Sequence, residues 1–227
     1  MIVYYRLCSI PSTNPSPIYQ DDKFMLNLLC LRSFVEAFRE IEPEVVFLAD
    51  FCGQREQDMV ELVVPFKHSF IPTAMGINET CLTQYELAKE TDHKEILFAE
   101  CDYYWRPGSG KALLEAISSL QLVSPYDHRN FYIDRAIHSE DCKIKLVGDQ
   151  HWRSTERNTM TFGITKDAFT KLFNTFLYYG YLDNEVWHES REKGYQLWVP
   201  IPSLATHMAK DWLAPSIDWK GEWEKYV

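Results

Sequence analysis

The chain of 227 residues predicts one α/β domain, a mostly parallel sheet flanked by helices. Two observations predict this. Through the first half, short apolar runs rich in β-branched and aromatic residues alternate with stretches of helical periodicity. In addition, the run Ile96 to Ala99 delivers two carboxylates, Glu100 and Asp102, at or just past its C-terminal end. Open α/β sheets bind ligands in the crevice outside the carboxyl ends of their strands.

The elements follow in order. Ile2 to Ile10 reads as a first strand, broken by the proline-rich loop Pro11 to Pro17. From Asp22 the pattern is that of an amphipathic helix, with Phe24, Leu28, Leu31, Val35 and Phe38 on one stripe. Asp21 or Asp22 caps it and Pro43 marks the stop. Glu44 to Asp50 is a second buried strand ending in a carboxylate. Glu56 to Leu62 reads as a short helix, Val63 to Ile71 contains a weaker third strand, and Glu79 to Thr91 is a helix leading into the strand before Glu100. The turn Gly108 to Lys111 lacks Walker A spacing and opens the helix Lys111 to Leu120.

The second half is mixed. Strand-like pieces fall at Leu122 to Ser124, Phe131 to Ile133, Lys143 to Val147 and Thr159 to Gly163. Two helices follow, Lys166 to Tyr179 with Phe169, Leu172, Phe173 and Phe176 inward, and Asp183 to Lys193 with Gly194 as its C-cap. A strand from Gln196 to Ile201 ends at Pro202, and the tail from Lys210 carries Trp212, Trp219 and Trp223 in loops or a short helix.

Composition narrows the function. Hydrophobic residues make up 46% and aromatics 15%, enough for a sizeable core. A formal charge of −10 leaves no basic stripe to neutralise phosphates, so no nucleic-acid partner is expected. No apolar run reaches the roughly 20 residues that span a bilayer. The N-terminus lacks the pattern of a secretory signal, so the expected location is cytoplasmic and the sequon at Asn78 carries no glycan. The six cysteines are scattered without metal-ligand spacing and read as small buried hydrophobes.

Glu100 and Asp102, two residues apart, can hold a hard divalent cation that in turn holds phosphate oxygens, or can simply be solvated acids at a strand end. Asp183 and Glu185 stand at the start of a helix, where either can be a general base for an acceptor hydroxyl or an ordinary cap and dipole partner. Asp127 and His128 form another polar cluster, in a sugar-binding or a surface loop. Arg153 and Arg157 can offset a diphosphate through forked hydrogen bonds or pair with surface acids. Trp105, Trp152 and Trp187 can stack on sugars or pack in the core, and Trp198 reads as core.

This order of elements, with an acidic pair after the fourth strand, resembles the GT-A fold of nucleotide-sugar-dependent glycosyltransferases of the family 2 kind. The likeness extends over most of the chain in element order and is specific at Glu100 to Asp102 and at Pro202 to His207. It implies a nucleotide-sugar-binding half, residues 1–105, and an acceptor-binding half with the C-terminal tail, residues 106–227, within one domain. Ser9, Ile10 and Pro11 are similar to the nucleotide-contacting entry of such enzymes, and Asp50 to the residue holding the base. Asn78 is grouped with these donor contacts, and Arg153 with the acceptor-side strand that follows. His207 resembles the histidine that completes the metal site, giving Asp102, His207 and Glu100 as the implied ligands of Mn²⁺ or Mg²⁺. The first acid is Glu rather than the family's Asp, which leaves Glu100 a direct ligand, a ligand through water or a ribose contact.

The implied activity is metal-dependent transfer of a sugar from a UDP- or GDP-sugar to a glycan or other hydroxyl acceptor. A nucleotidyltransferase would call for glycine and lysine in the first loop, and residues 9–17 have neither. A non-catalytic carbohydrate-binding protein on the same fold is the other alternative.

Overall fold

A computed structural model describes residues 1–134 and 142–226. The chain runs β1 (Ile2–Cys8), α1 (Lys23–Phe38), β2 (Glu44–Asp50), α2 (Gln54–Val63), β3 (His68–Thr73), α3 (Ile77–Lys89), β4 (Glu95–Glu100) and β5 (Tyr103–Trp105). It continues through α4 (Ser109–Leu120), β6 (Leu122–Val123), α5 (Asn130–Ile133), β7 (Ile144–Val147), β8 (Gln150–Thr155), β9 (Phe162–Thr165) and α6 (Lys166–Tyr179). It closes with α7 (Glu185–Glu192), β10 (Leu197–Ile201), β11 (Ala205–His207) and α8 (Trp219–Trp223).

Among the described residues nine strands form one sheet in the order β3-β2-β1-β4-β9-β6-β10-β8-β7. The β3-β2-β1-β4 half is parallel, and β9 and β8 run against their neighbours. The expected mostly parallel sheet with a mixed second half is the fold observed. The period of two along each strand sorts its side chains between two cores. Val3, Tyr5, Leu7, Leu97 and Ala99 pack with α1, α2 and α4 on one face. Ile2, Tyr4, Ile96 and Phe98 pack with α3, α6 and α7 on the other.

Several local expectations change. Helix α1 is not a one-sided amphipath: Leu26, Leu29, Cys30, Leu31, Phe34, Val35, Ala37 and Phe38 are all buried, because the β5–β11 ribbon and the tail cover the side away from the sheet. Asp22 is its cap, accepting from the Met25 backbone N–H at 3.0 Å. Residues 130–133 form a helical turn instead of a strand. The cap position of α7 is Asn184, so Asp183 stands before the helix and does not cap it. Trp105, Trp152, Trp187 and Trp198 are all core.

The close approach of α4 to α1 requires Gly110. A Cβ there would lie 2.7 Å from the Ala37 carbonyl oxygen and 2.8 Å from the Phe38 ring. Gly110→Ala gains about 1 kcal/mol of helix propensity. The forced separation of the helices costs about 1–3 kcal/mol, and because one obstacle is backbone we expect the cost to win. The expected result is a melting point lowered by several degrees in a thermal unfolding experiment; an unchanged or raised value would refute the packing argument.

Candidate functional site

Strands β1, β2 and β3 step outward in one direction, and the chain then crosses back to place β4 on the other side of β1. That reversal opens a crevice at the C-terminal ends of β1 and β4, where α/β sheets bind ligands. A cavity of about 440 Å³ lies there, lined among others by Arg6, Ile10, Pro11, Lys23, Asp50, Phe51, Ile77, Glu100 and Asp102. A second, of about 20 Å³, adjoins it and is lined by Pro11, Ser12, Lys23, Asp102 and His207 among others.

Asp102 follows β4, and its side chain faces His207 because β5 and β11 pair antiparallel, with His207 opposite Tyr103. Asp102 Oδ2 lies 3.2 Å from His207 Nε2. The ring is fixed by Tyr103 on one side and by Trp212, stacked at 5.3 Å and 29°. Burial disfavours both charges, but each partner outweighs it: Asp102 is held well below the usual carboxylate range and His207 above the usual imidazole value. His207 Nδ1 is buried without a hydrogen-bond partner. Lys23 adds a second cation on Asp102; burial opposes its charge, yet Cys101 and Asp102 hold its ammonium above its ordinary value.

Glu100 is engaged elsewhere. It sits opposite Arg6 in the β1–β4 register, and Arg6 Nη2 donates to Glu100 Oε1 at 2.6 Å. Thr161 Oγ1 donates to the other oxygen at 3.2 Å. Among the described residues no three of His, Cys, Asp and Glu come together as a metal site. The three-ligand set read from the sequence therefore reduces in this geometry to Asp102 and His207.

The remaining donor-side residues divide. Asp50 Oδ1 accepts from Thr73 Oγ1 at 3.1 Å, Met75 N at 3.0 Å and Gly76 N at 3.2 Å, which shapes the turn into α3. Gly76 takes φ +87 there, a left-handed conformation that glycine adopts without strain. Ile10 and Pro11 line the cavity, whereas Ser9 ties strand ends together through its N–H to the Asp50 carbonyl and its Oγ to the Phe51 carbonyl. Asn78 is exposed on α3, and the cavity is lined by its neighbours Ile77 and Thr80 instead. Arg153 is not in the crevice: Nη2 donates to buried Asp127 Oδ1 at 2.8 Å, and the guanidinium lies over Phe131 at 4.0 Å.

On the other side of the His207–Trp212 stack is a cavity of about 220 Å³, lined by His128, Phe131, Asn158, Asp183, Asn184 and Trp212 among others. Burial lowers His128 to about 4, with a smaller push from His207, so it is neutral at pH 7. Asp183 borders this cavity with part of its residue surface open to solvent, and loss of water around its carboxyl, followed by the charge of Glu100, pushes it up to about 6. Arg6 and His207 pull the other way, which places Asp183 within electrostatic reach of the Asp102 side of the crevice. Glu185 is exposed in the first turn of α7 and borders none of these cavities.

No protein-family model matches the chain, and no curated protein does. Solved structures do. One is named as a nucleotide-diphospho-sugar transferase of Desulfovibrio desulfuricans G20, at 9% identity and TM-score 0.51, covering 87% of this chain and 78% of that one. Another is an active-site mutant of LgtC, at 12% and 0.51, covering 88% and 72%. A third is the 4-diphosphocytidyl-2C-methyl-D-erythritol synthase of Anaerococcus prevotii DSM 20548, at 10% and 0.53, covering 96% and 94%. The chain has a GT-A-like fold. On this GT-A-like sheet the crevice between β1 and β4 holds Asp102 and His207. Arg6, Lys23 and Trp212 were not singled out from sequence. The signals were present: charged residues in an apolar strand and at the first position of a helix, and a tryptophan five residues past a candidate ligand.

Proposed function

We propose that the chain is a glycosyltransferase that moves a sugar from a nucleoside-diphosphate sugar to a hydroxyl acceptor, with Mn²⁺ or Mg²⁺ as cofactor. The observation that carries this is the Asp102–His207 pair at 3.2 Å, at the switch point of the sheet, with Asp102 lining both cavities of the crevice. Asp102 and His207, facing each other across the small cavity, would hold the ion, with the imidazole giving up its Nε2 proton to bind it. Carboxylate and imidazole suit Mn²⁺ better than Ca²⁺. When bound, the ion stabilises negative charge on the departing diphosphate.

The other roles belong to the chain itself. Asp50 keeps one oxygen for the imide-type N–H of a uracil or guanine base, because its other oxygen is taken by three donors. Asp183 accepts the proton of the acceptor hydroxyl, and the cavity beside it receives a glycan or other hydroxyl compound. Free thiols at all six cysteines suit a reducing cytoplasm. No helix among the described residues is long and apolar enough to cross a membrane.

The test is thermal stability with a panel of nucleoside diphosphates, with Mn²⁺ and with chelator. A ligand at 100 times its Kd adds about 2.7 kcal/mol to the native state. We expect UDP or GDP to raise the melting point most with Mn²⁺, and Asp102→Asn to lose the Mn²⁺ increment while remaining folded. A larger shift from a nucleoside triphosphate than from any diphosphate would favour nucleotidyl transfer. No shift from any nucleotide would overturn the transferase reading and favour a carbohydrate-binding protein.

A further inference from the structure

The two cavities of the crevice share Pro11, Ser12, Lys23 and Asp102, whereas His207 lines only the smaller one. An ion between Asp102 and His207 therefore belongs to the small-cavity side. In the larger cavity the cations are Arg6 and Lys23. Arg6 is committed to Glu100 at 2.6 Å, and Asp102 is already paired with His207. Lys23 is left with the Cys101 side chain and a share of one carboxylate, Asp102, although its residue is 9% exposed. Lysine is seldom so buried without a dedicated partner. It is the first residue of α1, where the capping carboxylate of Asp22 is engaged by the Met25 N–H at 3.0 Å. A cation kept against burial, on the wall where both cavities meet, is placed for an anion from outside the chain.

We infer that Lys23 binds the diphosphate of the donor and lets the chain hold a nucleoside diphosphate without a divalent metal. The inference rests on the nucleotide-sugar reading and adds to it a division of labour. At the phosphate end of the larger cavity, Arg6 answers Glu100 and His207 answers Asp102, so the charge of Lys23 is in excess. Without Lys23 both acids are still paired, and that end keeps no cation free to hold the ligand.

The experiment is titration calorimetry of the full chain with UDP, GDP and the corresponding nucleosides, in EDTA and in Mn²⁺, for the wild type, Lys23→Gln and Lys23→Arg. The wild type should bind a diphosphate in EDTA, and Mn²⁺ should tighten it. Lys23→Gln should weaken binding in EDTA roughly tenfold or more, the loss of one charge-assisted hydrogen bond, and leave nucleoside binding unchanged. Lys23→Arg should retain part of it. Binding of a diphosphate in Mn²⁺ but not in EDTA would overturn the inference and leave the transferase reading standing. Absence of binding in both buffers would overturn that reading itself. Should Lys23→Gln fail to fold, the wild type decides by a second measurement, its Lys side chains ¹³C-dimethylated. A resonance assigned to Lys23 through Lys23→Arg should shift when UDP or GDP is added in EDTA, and an unmoved resonance under bound nucleotide would count against the inference.

Discussion

Asp183→Asn should lower turnover by roughly 10²–10⁴-fold, the range that a positioned general base contributes. The side chain borders the cavity on the acceptor side, and its carboxyl, pushed up to about 6 by desolvation and by Glu100, is poised near neutral pH. A carboxyl acts as a base only when ionised. The wild-type rate should therefore be full above about pH 7 and fall as the pH drops through about 6, following one proton. In Asp183→Asn that acidic limb should disappear along with most of the rate, since amide nitrogen does not titrate there. Glu185→Gln serves as the control, because Glu185 is exposed and borders none of the three cavities of the site. A pH–rate profile of the three proteins checks the assignment. Turnover in Asp183→Asn within a few fold of wild type, with the acidic limb unmoved, would remove Asp183 from the mechanism.

What the sequence made legible follows from which signals are local. Strands β1, β2 and β4 are mainly apolar runs, and that is enough to place them and to place Asp50 and Asp102 at or just past their ends. Pairing is not local. Strands β5 and β11 have three residues each and about a hundred residues between them, so nothing in either stretch announces the ribbon that carries His207 to Asp102. That pairing was anticipated only through resemblance. Arg153 fits a diphosphate as well as any arginine does, but β8 was not recognised as a strand, and its pairing with β10 turns Arg153 toward Asp127. Lys23 and Arg6 show the opposite failure. A lysine opening a helix reads as solvated, and an arginine in a strand reads as an exposed alternate position. The register of β1 on β4 and the cover over α1 bury both. The tryptophans of the first reading are core, and the one stacked on His207 lies in the tail.

The Arg6–Glu100 pair decides what Glu100 is for, and Arg6→Met should expose it as the costliest ion pair in the crevice to break. The guanidinium is 9% exposed and the carboxylate 21%, with 2.6 Å between them. Removing one partner of a buried pair leaves an uncompensated charge and costs about 3–5 kcal/mol. The lower end applies here, because Glu100 keeps the Thr161 hydroxyl at 3.2 Å and some access to water. For a chain of this size that loss corresponds to a melting point lower by roughly 6–12 °C. The double replacement Arg6→Met with Glu100→Leu removes both charges together and should recover much of the loss, since a buried pair is often replaceable by apolar residues of similar volume. Glu100→Gln separates the two roles read for this acid. If the carboxylate serves Arg6, that change should lower the melting point of the metal-free protein and leave the affinity for Mn²⁺ nearly unchanged. If it serves an ion directly, the melting point in chelator should stay put and Mn²⁺ affinity should fall. Melting curves in chelator and a Mn²⁺ titration on the same samples distinguish these, and the second pattern would return Glu100 to the metal site beside Asp102 and His207.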